Sequence, residues 1–327
     1  MPPSHRLYES PPIERRKIAN TYACSSATFD LLRCFGWGGL LNLGWFTWPA
    51  PLGLLNLALS RGVVSPRAFL QRAQERLLDR SLRLLDAQPG EFVLDIACGR
   101  GRSTFSISHR VPRCVALGID IDPASLRIAR GLHGSPKPPR RTRLPAQHFA
   151  CADALQLPLA DASVDRILAL ECAFHFMDRR RFLAECFRVL RPGGRIAVID
   201  FAWKNLAARQ AAASEPIAIV RDIWSWTDFS TRDEYESMLQ SSGFTAIEIR
   251  DWSSHVTKPL ASIFGTIVAM ARNRIGRPIL LQLNPLLEGF DDSAWTDLAE
   301  SARAHASASS LSSYLGMSAV RRSDAEP

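Results

Sequence analysis

Val93-Leu94-Asp95-Ile96-Ala97-Cys98-Gly99-Arg100-Gly101 is the stretch from which the fold is read. Phe92, Val93, Leu94 and Ile96 form a short apolar run, bounded by Pro89-Gly90 before it and glycines after it. That pattern predicts a strand buried on both faces of a parallel sheet. Gly99 and Gly101 let the backbone turn tightly and approach a ligand where a side chain would collide. A helix opens at Ser103-Thr104, so its free amides and positive dipole end face the turn. A nucleotide-like molecule is expected there.

Downstream the same unit recurs. The apolar run Cys114–Ile119 ends in Asp120-Ile121-Asp122-Pro123, where Asp122 can cap and Pro123 can open a helix. After a proline- and arginine-rich insertion at 134–146, a third strand, Gln147–Cys151, ends at Asp153-Ala154. A fourth, Val164–Leu170, ends at Glu171, with His175 close behind. A helix from Asp178 stops at Arg191-Pro192-Gly193-Gly194, and a fifth strand, Arg195–Ile199, ends at Asp200. The alternation predicts an α/β, Rossmann-like, doubly wound, mostly parallel sheet of about seven strands, with ligands outside the carboxyl ends. Asp120, Asp153, Glu171, His175 and Asp200 all fall at that edge, more polar groups than helix capping requires. Further on, Thr231-Arg232-Asp233-Glu234 is a capping box before another helix, and Thr245–Ile249 is a sixth strand. Residues 257–290 are apolar, 292–308 helical, and Tyr314–Val320 a last strand.

Upstream of the organising strand, 1–20 is proline-rich and charged and is expected to be a mobile tail. Residues 38–59 approach the length of a membrane span, but Gly44, Pro49, Pro51 and Gly53 interrupt them. A cover over an apolar pocket, with peripheral membrane contact as the rival, is expected instead. The division is a tail at 1–20, an N-terminal helical cover at 21–88, a core at 89–252, a helical apolar insertion at 253–310, and a last strand and tail at 311–327.

The 327 residues are 46% hydrophobic, which excludes wholesale disorder. The net charge of +8 is concentrated near Arg15–Lys17 and in the insertion, so no nucleic-acid partner is expected. Seven cysteines without Cys-x-x-Cys spacing read as core hydrophobes in a reducing, cytoplasmic compartment. The charged, proline-bearing start predicts no signal peptide.

Four motifs in order carry a resemblance: the organising stretch, Gly118-Ile119-Asp120-Ile121-Asp122-Pro123, Cys151-Ala152-Asp153-Ala154 with Leu157-Pro158, and Arg188-Val189-Leu190-Arg191-Pro192-Gly193-Gly194. Residues 21–322 resemble the small-molecule branch of class I S-adenosylmethionine-dependent methyltransferases, which includes natural-product O-methyltransferases and quinone and sterol C-methyltransferases. Ala97 stands where that family often has glycine, and its methyl could crowd the turn. The resemblance implies S-adenosyl-L-methionine as cofactor. Asp120 would hold the ribose, Asp153 and Ala154 the adenine, and Gly99 and Gly101 the methionine end, with Asp95, Ala97 and Ile121 shaping the site. It also implies methylation of a hydroxyl, with His175 as general base and Asp200 assisting, and no metal. Trp45, Trp48, Trp203, Trp224, Trp226 and Phe229 favour a large apolar acceptor. C-methylation with Glu171 stabilising a cation is the alternative; an NAD-dependent oxidoreductase and a non-catalytic nucleotide-binding protein are lesser ones, the former lacking a third glycine.

Overall fold

A computed structural model describes residues 27–38, 40–47, 66–133, 146–213, 215–226 and 228–322. The tail expected at 1–20, the greater part of the apolar stretch with Trp48, and most of the insertion at 134–146 lie outside the described residues.

Seven strands form one sheet in the order β3-β2-β1-β4-β5-β7-β6. They are β1 (Phe92–Ile96), β2 (Val115–Asp120), β3 (Ala146–Cys151), β4 (Val164–Leu170), β5 (Leu190–Trp203), β6 (Phe244–Asp251) and β7 (Ser312–Arg321). β1 to β5 pair in parallel, and β7 runs antiparallel to both β5 and β6. The order reverses between β1 and β4, so the crevice for a ligand opens above their carboxyl ends. Val93, Leu94, Val164, Ile167 and Leu168 are fully buried, as strands covered on both faces require.

In chain order the helices are α1 (Ala27–Cys34), α2 (Pro66–Leu85), α3 (Arg102–Arg110), α4 (Pro123–His133), α5 (Arg179–Val189), α6 (Leu206–Ala211), α7 (Glu215–Trp224), α8 (Arg232–Ser241), α9 (Thr257–Ala271), α10 (Gly276–Leu283) and α11 (Asp292–Leu311). The local signals for helix starts hold. Asp178 accepts from the Arg181 amide, Asp122 accepts from the amides of Ala124 and Ser125, and Thr231 and Glu234 close a capping box.

β5 does not stop at Ile199. It pairs with β7 as far as Trp203 opposite Ser312, because the antiparallel ladder supplies partners beyond the parallel one. Asp200 therefore lies inside the strand, facing Leu315 in register, rather than at its end.

α9, α10 and α11 fill the chain between β6 and β7, and α11 packs against α9, α7 and α1. Thr28 and Ser301 share a hydrogen bond of 2.9 Å, and Asn284 donates to the Cys34 carbonyl at 3.1 Å. The strap at 40–46 is pinned on both sides. Gln74 donates to the Leu40 and Asn42 carbonyls, the Trp45 amide donates to Ala73, and the Phe46 amide donates to His255. No described helix is long and apolar enough to cross a membrane. The six described cysteines are free thiols.

Candidate active site

The turn after β1 is built on left-handed backbone: φ is 53° at Ala97, 53° at Gly99 and 76° at Gly101. A Cβ at Gly101 would stand 2.6 Å from the Phe149 ring, so this position needs glycine for space as well as for φ. Ala97 adopts its conformation at a cost of about 1 kcal/mol. Asp95 braces the turn from beneath. One of its oxygens accepts from Ser103 Oγ and Thr104 Oγ1, each at 2.6 Å, tying β1 to the first turn of α3. Burial pushes its carboxyl up to about 6.

Asp120 closes β2. Its Oδ2 accepts the Gly99 amide and its Oδ1 the Asp122 amide, both at 2.8 Å. Each oxygen keeps a second lone pair, an acceptor set that suits two neighbouring hydroxyls such as those of a ribose. The β2–β3 pairing ends with Asp120 opposite Cys151, and the Ala152 amide donates to the Asp120 carbonyl. Asp153 is thus carried to the same edge, where it accepts from the Leu155 amide at 2.9 Å. Ile121 and Ala154 follow these two carboxylates directly in sequence. These residues fit an adenosine-bearing cofactor.

Beyond the carboxyl end of β4 opens a cavity of about 1210 Å³, mouth included. Its walls come from α1, the strap, α7, α9 and α11, with Phe174 and Phe201 contributed from the sheet side. Among the described residues Glu171 is its one carboxylate. It sits at φ 52°, accepts from the Leu43 amide at 3.0 Å, and accepts from the Tyr314 hydroxyl. Burial raises its carboxyl to about 8, although both donors pull the other way. Of the expected aromatic residues, Trp224 and Trp226 line the cavity. Trp203 and Phe229 are sealed in the core, and Trp45 stacks on His255 with 4.3 Å between ring centroids.

His175 and Asp200, expected to act together, each have a hydrogen-bond partner of their own. Asp200, wholly buried within β5, accepts from the Tyr235 hydroxyl at 2.9 Å, and burial raises it to about 7. His175 lies on a short 3₁₀ turn, Ala173–His175, and is 8% exposed. Its Nδ1 donates to the Ser225 carbonyl at 3.2 Å, and burial lowers its pKa to about 4. Its neighbour Phe174 faces the cavity, whereas His175 is not among the lining residues. Spacing pairs the two side chains because both follow strands; the extension of β5 turns Asp200 toward α8 instead.

Tyr314, Thr257 and His305 carry no signal in the sequence. His305 lines the cavity as a neutral ring: Nδ1 donates to the Ser301 carbonyl at 2.7 Å, and Nε2 accepts from Trp224 Nε1 at 2.8 Å.

A methyltransferase domain family model matches residues 94–198. An O-methyltransferase of Penicillium expansum, cnsE, is 30% identical over 217 residues, 64% of this chain and 71% of that protein. The 27-O-demethylrifamycin SV methyltransferase of Amycolatopsis mediterranei is 33% identical over 193 residues, 59% of this chain and 67% of that protein. Among solved structures, the geranyl diphosphate C-methyltransferase of Streptomyces coelicolor, solved with S-adenosyl-L-homocysteine, superposes with a TM-score of 0.67. It shares 17% identity, covering 97% of this chain and all of that one, and so speaks for the fold. The chain belongs to the small-molecule branch of class I S-adenosylmethionine-dependent methyltransferases. Its cofactor is S-adenosylmethionine.

Proposed function

We propose that this enzyme methylates a hydroxyl group of an apolar small molecule seated in the cavity, with Glu171 taking the hydroxyl proton. The observation that carries the reading is a single carboxylate, among the described residues, on the wall of an otherwise apolar and aromatic cavity at the carboxyl edge of the sheet. S-adenosylmethionine, when bound, supplies an electrophilic methyl group on a cationic sulfur. Asp120 holds the ribose hydroxyls, and Asp153, Ala154 and Ile121 surround the adenine. Ala97, Gly99 and Gly101 leave backbone open to the methionine end, while Asp95 keeps that turn in shape. The Leu43 amide and the Tyr314 hydroxyl fix the Glu171 carboxylate and favour its ionised form. The apolar walls keep water from the reacting groups.

Residues 21–88 and 253–310 serve as covers over the 89–252 core. The enzyme works in the cytoplasm; peripheral membrane contact is the rival role for the apolar stretch at 38–59, and the buried strap at 40–46 favours the cover. C-methylation is the second reading, favoured by Phe174, Phe201 and Trp226, which share the cavity wall with Glu171, a setting suited to a carbocation.

The test is turnover with methyl-labelled cofactor and product analysis by mass spectrometry and NMR, for wild type, Glu171→Gln and His175→Ala. The proposal expects a methyl ether and a loss of about 10²–10⁴-fold in Glu171→Gln, with a much smaller loss in His175→Ala. A new carbon–carbon bond selects the second reading. The larger loss in His175→Ala, with its acid pH limb erased, returns the base role to His175 with Asp200 behind it.

A further inference from the structure

Between Asp251 and Glu288 the chain carries Lys258, Arg272, Arg274 and Arg277 and no carboxylate. The apolar residues of α9 face inward, with Leu260, Ile263, Phe264 and Ile267 on the cavity wall. Those of α10 divide. Leu280 is buried, whereas Ile275 is 78% exposed and Ile279 46%. Ile275, at the N-cap of α10, and Ile279 stand four residues apart and so share one face. Leu286, in the 3₁₀ turn Pro285–Gly289 that follows, is exposed as well.

The turn that presents Ile275 is built rather than loose. Asn273 Oδ1 accepts from the Ile275 and Gly276 amides at 2.8 and 3.1 Å, and a Cβ at Gly276 would stand 2.7 Å from the Met270 carbonyl oxygen. Beside it Arg272 and Arg274 are exposed, and neither has an ion-pair partner among the described residues; Arg277 pairs with Asp292 at 2.7 Å. Apolar side chains held in water next to unpaired guanidiniums match a surface that is anionic outside and apolar beneath. We propose that the turn between α9 and α10, with the outer face of α10, docks on a bilayer bearing anionic phospholipids. The guanidiniums meet the headgroups, and Ile275 and Ile279 enter the layer below. The face belongs to the cover of the cavity: Asn284 bonds the carbonyl of Cys34, the last residue of α1, and the next residue, Phe35, lines the cavity. Docking sets that cover, rather than the sheet, against the lipid phase in which an apolar acceptor dissolves. The proposal goes beyond the methylation reading and does not depend on it.

The test is flotation of the full chain with vesicles of phosphatidylcholine alone and of phosphatidylcholine and phosphatidylglycerol in equal parts. The protein should float with the mixed vesicles and stay behind with the neutral ones. Raising salt from about 0.1 M to about 1 M cuts the Debye length from about 10 Å to about 3 Å and should release it. A cation near an anionic surface contributes about fivefold in partition, so Arg272→Gln with Arg274→Gln should weaken binding by about 25-fold. Ile275→Ser with Ile279→Ser should weaken it by about tenfold or more. All four side chains are exposed, so both double variants should melt with wild type. A wild type that does not float with mixed vesicles, or floats equally with neutral ones, overturns the proposal. So does either double variant if it floats as well as wild type, or melts lower because its side chains belong to the fold's own packing. A wild-type dimer that Ile275→Ser with Ile279→Ser returns to monomer gives the face to a second copy of the chain and overturns the bilayer.

Discussion

Replacing Glu171 with glutamine should make the protein more stable above neutral pH while disabling it. In the unfolded chain this carboxyl ionises near 4.5; in the folded chain burial holds its proton to about 8. Below 4.5 both states are protonated and stability is full. Between 4.5 and 8 the unfolded state gives up the proton and the folded state keeps it, so stability falls as pH rises and levels off above 8. At about 1.4 kcal/mol per pH unit the gap amounts to about 5 kcal/mol. Glu171 is only partly buried, so solvent screening reduces this to a working expectation of about 2–3 kcal/mol. The glutamine amide would keep an oxygen for the Tyr314 hydroxyl and carry no charge to bury. Urea unfolding of both proteins at pH 5, 7 and 9, with m-values compared, gives the difference directly. Asp200 and Asp95, also raised, slope the same way in both proteins and cancel. The two stability curves should diverge as pH rises. Parallel curves would mean that Glu171 ionises as freely in the fold as in water, and the argument from burial would fail.

Asp120→Ala should weaken S-adenosylhomocysteine binding by about tenfold to a hundredfold, the worth of hydrogen bonds to a charged group; unchanged calorimetric affinity would remove Asp120 from the ribose. Tyr235→Phe strips Asp200 of its side-chain donor and should destabilise by about 1–3 kcal/mol. The loss should be larger at pH 8 than at pH 5, because the donor stabilises the ionised form; a loss equal at both pH values would show that Asp200 stays protonated throughout.

What the sequence made legible was local. The turn from β1 to α3, Asp95 under it, and Asp120 and Asp153 at strand ends are fixed by spacing within a few residues, and the Thr231–Glu234 capping box likewise. The acceptor side was not. Glu171 looks like one polar residue among several in the sequence, and its donors come from a backbone amide 128 residues away and a tyrosine 143 residues away. Asp200 falls elsewhere than expected because the ladder that prolongs β5 belongs to β7, a pairing no spacing rule reveals.

The hydrogen bond between Thr28 and Ser301 spans 273 residues of chain. During synthesis, α1 leaves the ribosome 273 residues ahead of the helix position that receives it. At about 5–20 residues per second, the apolar face of α1, with Phe29 and Leu31, waits some tens of seconds for its seat. Over that interval the nascent chain displays the sticky surface that chaperones bind. The same wait is a window for aggregation, because apolar surface left exposed in a partly made chain is where misassembly begins.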